Sequence, residues 1–153
     1  MPFSAPLWVL YSSGTTGAPK AITHSHGGVL LELNKYHAFH NDVKPGEMFF
    51  WYTTTGWMMW NFLHGAWLRG ASILLYEGSP AYPEVDFLWK LAAENKVNHF
   101  GTSAPYILAN KKAGTKPMEK YDLSLLRSIG STGSPLPPEG FDYVYEDIKE
   151  DIW

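Results

Sequence analysis

Residues 11–20 read Tyr-Ser-Ser-Gly-Thr-Thr-Gly-Ala-Pro-Lys, and an apolar run, residues 7–10, leads into them. Within this stretch two glycines, Gly14 and Gly17, are interleaved with hydroxyl residues, and Lys20 closes it. Glycine allows a positive φ and a close approach of the backbone to a ligand, and successive N–H groups that point inward favour an anion. The stretch therefore predicts a loop that binds a polyphosphate, most simply that of ATP.

The same composition also fits a flexible Ser/Thr/Gly loop without a ligand, and composition alone does not separate the two. The stretch does not follow the Walker pattern, which needs four residues between its glycines and then Gly-Lys-Ser/Thr. Here two residues separate Gly14 from Gly17, and Ala18 and Pro19 precede the lysine.

The composition indicates one globular domain. The chain has 153 residues, of which 45% are hydrophobic and 16% aromatic, so a real core is expected. Its net charge is −3 and its basic residues are scattered, which argues against a nucleic-acid surface. It has no cysteine, as fits an intracellular, cytoplasmic protein, and no apolar run approaches the ~20 residues of a membrane span.

Apolar runs alternate with helical patterns along the chain. Strands are predicted at residues 7–11, 21–23, 48–52, 72–76, 97–101 and 126–130, and helices at residues 29–39, 57–68, 86–95 and 104–113. A last helical stripe would contain Phe141, Val144, Tyr145 and Ile148. Because the strands are continuous apolar runs, the pattern predicts an α/β fold with a mostly parallel sheet flanked by helices.

Three unusual clusters follow predicted strand ends, namely residues 12–20, 53–60 and 130–135. In parallel α/β sheets, ligands bind beyond the carboxyl ends of the strands. One site built from all three clusters is therefore the economical interpretation. From composition alone, the Trp- and Met-rich cluster at residues 53–60 fits an ordinary core better than the wall of a small pocket.

The order Ser-Gly-Thr-Thr-Gly-x-Pro-Lys resembles the phosphate loop of the adenylate-forming superfamily, which includes acyl-CoA synthetases and luciferases. The resemblance implies that ATP is held by Lys20 and by the six preceding loop residues, which are Ser12, Ser13, Gly14, Thr15, Thr16 and Gly17. It also implies that Gly133, Ser134 and Pro135 lie along the adenine and ribose. Many relatives carry Glu where Ser134 stands, so the resemblance supports backbone contacts there more than a side-chain role.

Within that superfamily, the chain resembles the branch of acetoacetyl-CoA synthetases (acetoacetate–CoA ligases). The residues that carry this are 7–20, 57–61 and 76–83. The resemblance implies ATP, Mg²⁺ and coenzyme A, and an acid pocket for acetoacetate formed by Thr55, Gly56, Trp57, Met58 and Trp60. In such enzymes a carboxylate attacks the α-phosphate of ATP, and the thiol of CoA then displaces AMP. Lys20 would stabilise the departing phosphates.

The resemblance covers the whole chain but only the middle of such an enzyme. Residues 1–153 are thus expected to be an incomplete AMP-binding (adenylation) domain, part of the large N-terminal domain, without the C-terminal domain and inactive alone. Exposed apolar edges and poor solubility are expected too. Two alternatives stay open: a non-catalytic nucleotide-binding or interaction module, and a ligase like acetyl-CoA synthetase that uses another short acid.

The histidines raise the question of a metal site. His24 and His26 lie two residues apart, and His37 and His40 lie three apart on a predicted helix. Two ligands are fewer than a zinc site needs, so no structural metal site is expected at these histidines. His24 and His26 are expected instead to orient the turn after the phosphate loop.

Overall fold

The computed structural model describes residues 1–12 and 17–153. The strands are β1 (Pro6–Ser12), β2 (Lys20–Ser25), β3 (Met48–Trp51), β4 (Ser72–Leu74), β5 (His99–Ser103) and β6 (Ser128–Thr132). The helices are α1 (His26–Lys35), α2 (Met58–Leu63), α3 (Phe87–Glu94), α4 (Ala104–Lys112), α5 (Pro117–Lys120) and α6 (Pro138–Tyr143). Single-turn segments extend three of them: a π-helix after α1 (Tyr36–His40), a 3-10 helix after α2 (His64–Arg69) and a π-helix after α6 (Val144–Ile148).

Strands β4, β3, β5 and β6 form, in that order, a parallel sheet. One row across it runs Leu74, Phe50, Phe100 and Ile129. This row packs into the larger core, which includes buried residues of α3 and α4. The opposite face carries a smaller core built around Phe49, Phe62 and Leu63. The α/β prediction with helices on both faces is confirmed.

Strands β1 and β2 form a separate antiparallel hairpin in which Ser12 pairs with Lys20. The sequence predicts a buried strand at residues 7–11. The strand is present, but the prediction that it is buried is wrong. Trp8 and Leu10 are half-buried, whereas Val9 and Tyr11 on the other face are exposed. A two-stranded hairpin packs only one face against the helices, so alternate residues of an apolar run stay outside.

Strands β5 and β6 begin and end two residues later than predicted. Val97 and Leu126 are buried but lie in the approaches to these strands. At the other end, polar residues continue the ladder as far as the pair of Ser103 and Thr132. The N–H of Trp153 donates to the carbonyl of Arg127, which precedes β6, at 3.3 Å, and the carbonyl of Trp153 accepts from the N–H of Ile129 on β6 at 3.0 Å.

The helix after β2 starts earlier than predicted, because Ser25 caps α1 by accepting a hydrogen bond from the N–H of Gly28 at 3.2 Å. Residues 24–28, expected to form a turn, are therefore the end of β2 and the start of α1. The predicted stripe at the end of the chain is partly wrong. The π-turn places Val144 and Ile148 inside and leaves Phe141 and Tyr145 half exposed.

Candidate functional site

A cavity of about 460 Å³, which we call the main cavity, lies between the hairpin and the parallel sheet, beside the carboxyl end of β6. The hairpin, α1, α2 and the end of β6 each supply part of its wall. The hairpin contributes Trp8 and Leu10, which lie two residues apart on one face of β1. The end of β6 contributes Ser131 and Thr132. Elements distant in sequence thus meet where ligands of parallel sheets bind.

The two helices present their walls at helical spacing. From α1 come Val29 and Leu33, four residues apart. From α2 come Met58, Asn61 and Phe62, which share one face because residues three and four apart are neighbours on a helix. The cavity is therefore mostly apolar with a few polar side chains, which is the usual character of a small-molecule site.

The side chain of Trp51, the last residue of β3, forms part of the wall between this cavity and the sheet. Its backbone pairs with Gly101, which in turn pairs with Gly130. A Cβ on Gly101 would come within 2.0 Å of the indole, and one on Gly130 within 2.6 Å. The indole therefore lies across two strands that have no side chain at these positions. Glycine inside a strand often marks such a close approach.

The centre of the phosphate-loop motif, residues 13–16, lies outside the described residues. Its flanks are described. Ser12 ends β1 and Lys20 begins β2, and the two pair across the hairpin. Gly17 has a φ of +124°, a conformation that favours glycine. The motif is thus the connection of a hairpin, with the exposed Lys20 at its base.

The structure distributes the predicted acid-pocket residues over two cavities. Met58 lines the main cavity. Thr55 and Trp60 line a second one, of about 470 Å³, between β3 and the loop after β4. Gly56 lines neither, and Trp57, which precedes α2, also lines neither and is 61% exposed. The rotation of α2 separates these side chains, since Met58 and Trp60 point to different sides of the helix.

The predicted nucleotide segment after β6 turns sharply. Gly133 has a φ of +92°, and the next two residues, Ser134 and Pro135, line a third cavity of about 280 Å³. This cavity shares Ser131 with the main one. The segment is therefore adjacent to the main cavity rather than inside it.

Several residues of the main cavity are absent from the sequence prediction: Trp8, Leu10, His24, Val29, Leu33, Trp51, Asn61 and Thr132. If residues 6–25 are interpreted as a hairpin, the two-residue spacing of Trp8 and Leu10 predicts that both side chains lie on one face. The two strand glycines beneath Trp51 are a second signal.

Two nitrogens beside the main cavity are buried and have no hydrogen-bond partner among the described residues, Nε1 of Trp8 and Nδ1 of His24. These two residues face each other across the hairpin. At the cavity wall, the carboxylate of Glu32 pairs with Lys35 at 2.9 Å, so its charge is balanced by an exposed cation.

A second polar group lies near the amino ends of the strands. His99 Nδ1 accepts a hydrogen bond from Ser128 Oγ at 2.7 Å, and its Nε2–H donates to Glu47 at 2.8 Å. Burial lowers the pKa of His99, although the Glu47 carboxylate opposes that effect. The N–H groups of Ser128 and Ile129 already bond to carbonyls of Asn98 and Trp153. Neither N–H is therefore free to stabilise an oxyanion. The hydrogen bonds of His99 thus hold neighbouring segments together, and they do not form a catalytic site with Ser128 as the nucleophile.

Within residues 1–12 and 17–153, no three His, Asp or Glu side chains lie close enough together to hold a metal ion. None of the helices in these ranges is both long enough and apolar enough to cross a lipid bilayer.

Comparison with known proteins identifies the family. A family model described as AMP-binding enzyme matches residues 3–152, almost the whole chain. The chain belongs to the AMP-binding enzyme family. Its solved relatives include an acetoacetyl-CoA synthetase from Streptomyces lividans, which is 51% identical and superposes with a TM-score of 0.94 over 100% of this chain and 24% of that one.

Two curated relatives extend the comparison. Acetoacetyl-coenzyme A synthetase of Rhizobium meliloti (strain 1021) is 52% identical over 152 residues, which are 99% of this chain and 23% of that protein. Malonamoyl-CoA synthetase of Penicillium aethiopicum is 39% identical over 166 residues, again 99% of this chain and 23% of that protein. The chain therefore spans about a quarter of the length of the relatives that it matches.

Proposed function

We propose that the chain forms the acid-binding and part of the nucleotide-binding region of an acetoacetate–CoA ligase. In this reaction the carboxylate attacks the α-phosphate of ATP to give an acyl-adenylate and pyrophosphate. The CoA thiol then attacks the acyl carbon and releases AMP. The observation that supports this best is the main cavity, because its apolar walls end at Ser131 and Thr132, beside the predicted nucleotide segment.

The phosphate-binding role is assigned to Lys20, the flanking Ser12 and Gly17, and residues 13–16. The place of Lys20 at the base of the hairpin connection supports this, since a cation there would lie beside phosphates held by the loop backbone. Its charge would stabilise the developing pyrophosphate. Gly133, Ser134 and Pro135 would hold the adenine and ribose, and the positive φ of Gly133 supports a close backbone approach.

The acid-binding role is assigned to the predicted set, Thr55, Gly56, Trp57, Met58 and Trp60. Met58 is supported by its place in the main cavity, and Thr55 and Trp60 by the neighbouring second cavity. Trp51 lines both cavities, so a change in its position would alter the two together.

The names of the relatives suggest the chemical class of acid. Acetoacetyl and malonamoyl groups are both short acyl groups with a second carbonyl at C3. We therefore propose a short acid with a C3 carbonyl as the substrate. A preference for acetate or another simple acid is the alternative.

Magnesium would arrive with ATP. The described residues do not provide a cluster of three metal ligands, so no step of the reaction is assigned to the metal through this chain. CoA is proposed as the second substrate, and the cytoplasm, which holds ATP and CoA together, as the location.

The experiment uses a chimera in which this chain replaces the matching 152 residues of the Rhizobium meliloti synthetase. We expect ATP–pyrophosphate exchange that depends on acetoacetate. Lys20→Ala should slow it about 10²-fold or more, by analogy with the loss of one charge-stabilising donor. Lys90→Ala on α3, outside the three cavities, is the matched control.

Two results would contradict the proposal. One is a folded chimera that activates no acid. The other is a Lys20→Ala variant that exchanges pyrophosphate as fast as its parent. A chimera that prefers acetate would favour the alternative ligase, whereas ATP binding without exchange would favour the non-catalytic module.

A further inference from the structure

The face of α2 that lines the main cavity is apolar except at one position. Met58, Met59 and Phe62 supply thioether and ring surface, and Asn61 supplies an amide between them. Asn61 is half-buried, and no hydrogen bond joins its side chain to the rest of the described chain. An amide in an apolar wall without a partner is costly once a ligand excludes water from it.

We propose that Asn61 is a specificity-determining residue whose side-chain N–H donates a hydrogen bond to the C3 carbonyl of the acid. This inference rests on the proposed function and names the group that would recognise its substrate class. A neutral amide suits a ketone or amide oxygen, which accepts hydrogen bonds and carries no charge.

Three other polar residues of the cavity fit this role less well. The Trp8 Nε1 and the His24 Nδ1 each have less than 1 Å² of accessible surface, so neither is open to a ligand in this structure. Glu32 offers a carboxylate, which accepts hydrogen bonds and cannot donate to a carbonyl.

The proposed reaction gives the ligand an orientation, because the acid's carboxylate must reach the nucleotide. The carboxylate would lie at the end of β6, near Ser131 and Thr132, where the proposed nucleotide segment begins. The C3 end of the acid would then point toward the helical wall that contains Asn61. In this orientation the reacting carboxylate and the recognised carbonyl occupy opposite ends of one cavity.

The consequence is discrimination against an acid of the same length without the carbonyl. Butyrate would fill the same volume but leave the Asn61 amide unpaired. Sites that are built to hydrogen-bond a substrate group reject analogues lacking it far more strongly than apolar pockets reject a missing methylene.

The test measures kcat/KM for acetoacetate and for butyrate in the chimera described above. We expect the parent to prefer acetoacetate at least about tenfold. Asn61→Leu keeps the volume of the side chain and removes the donor. Its ratio of the two kcat/KM values should fall at least about tenfold, mainly through loss of acetoacetate activity.

Asn34→Leu is the matched control. Asn34 is exposed on α1 and lines none of the cavities, so this variant should keep the parent ratio. His24→Phe tests a second side chain of the cavity that carries ring nitrogens. It should also keep the ratio.

The inference is overturned if Asn61→Leu changes the ratio less than about twofold, or if His24→Phe abolishes the preference instead. A second variant, Asn61→Ala, guards against a fault specific to leucine. If both Asn61 variants lose the two acids equally, Asn61 acts on the fold or on a shared step, which also overturns it. Activation of neither acid by the parent chimera would instead contradict the proposed function.

Discussion

At the level of single residues, the position of Trp51 depends on the absence of side chains on two neighbouring strands. A Cβ on Gly130 would lie 2.6 Å from the indole, and one on Gly101 would lie 2.0 Å from it. We therefore expect Gly130→Ala and Gly101→Ala to displace the ring, and each to lower the free energy of unfolding by about 2 kcal/mol, as overpacking does. Urea denaturation followed by tryptophan fluorescence measures this.

Gly56→Ala is the matched control for this prediction. A Cβ on Gly56 would meet only Thr54 Oγ1, at 3.8 Å, which is ordinary contact. Its stability should stay within about 0.5 kcal/mol of the parent. If the three alanine variants unfold at the same urea concentration, the close packing of Trp51 on the glycines is not a determinant of stability.

His37 makes stability depend on pH. Its side chain is 0% exposed, and its Nε2–H donates to the carbonyl of Phe62 at 3.1 Å. Burial lowers the pKa of His37 from 6.5 to about 4, against the hydrogen bond to Phe62, which raises it. Between these two values the unfolded chain binds a proton that the folded chain does not. Stability should therefore be complete above pH 6.5 and fall as the pH decreases toward 4.

The expected loss from His37 between pH 7 and pH 5 is about 2 kcal/mol. Urea titrations at several pH values test it, with His37→Gln as the comparison, because Gln can still donate to Phe62 and does not titrate. His99 also has a lowered pKa and is present in both proteins, so the difference between them isolates His37. Parallel pH curves for the two proteins would show that His37 is not the group responsible.

At the level of elements, the start of α1 depends on Ser25. Its side chain accepts from the N–H of Gly28, and its extended backbone is that of an N-cap. Ser25→Ala should cost about 1 kcal/mol of stability, whereas Ser25→Asp should keep most of it. Thermal unfolding monitored by circular dichroism measures both. Equal melting temperatures for the alanine and aspartate variants would mean that the cap contributes nothing.

The elements also show how far the sequence predicts this fold. The order of strands and helices was predictable because apolar runs and helical spacing alternate, and residues 48–52 and 104–113 correspond closely to β3 and α4. The ends of β5 and β6 were not predictable from the sequence, because hydrogen-bonded polar residues extend both strands. The π-turn after α1 was not predictable from a 3.6-residue period, since it buries His37 and leaves Phe39 81% exposed.

At the level of the whole molecule, the sequence predicts that polar and aromatic clusters follow strand ends, but it does not predict how they are arranged around the main cavity. Clusters at strand ends converge in a parallel sheet, so Met58 and the segment after β6 were expected to be close. The contribution of Trp8 and Leu10 depends on how the hairpin packs against α1, which no local pattern specifies. The place of Asn61 at the cavity depends on which side of α2 faces it, which the sequence alone does not specify.

Several large apolar side chains are exposed on the surface of the molecule. On the hairpin Tyr11 is 71% exposed, and on α1 and its π-turn Leu31 is 68% and Phe39 81% exposed. Large exposed apolar patches favour association. We therefore expect the isolated chain to self-associate as its concentration rises. The double variant Leu31→Lys and Phe39→Lys should shift it toward the monomer, as light scattering coupled to size-exclusion chromatography would show.

Added charge alone also reduces association, so the control must add the same charge elsewhere. Asn34→Lys with Ser124→Lys places two lysines on exposed polar positions. If apolar contact drives association, this control should associate like the parent, because its apolar surface is intact. If the control dissociates as readily as the first double variant, net charge rather than apolar area governs the behaviour. A parent chain that stays monomeric at every concentration would contradict the premise itself.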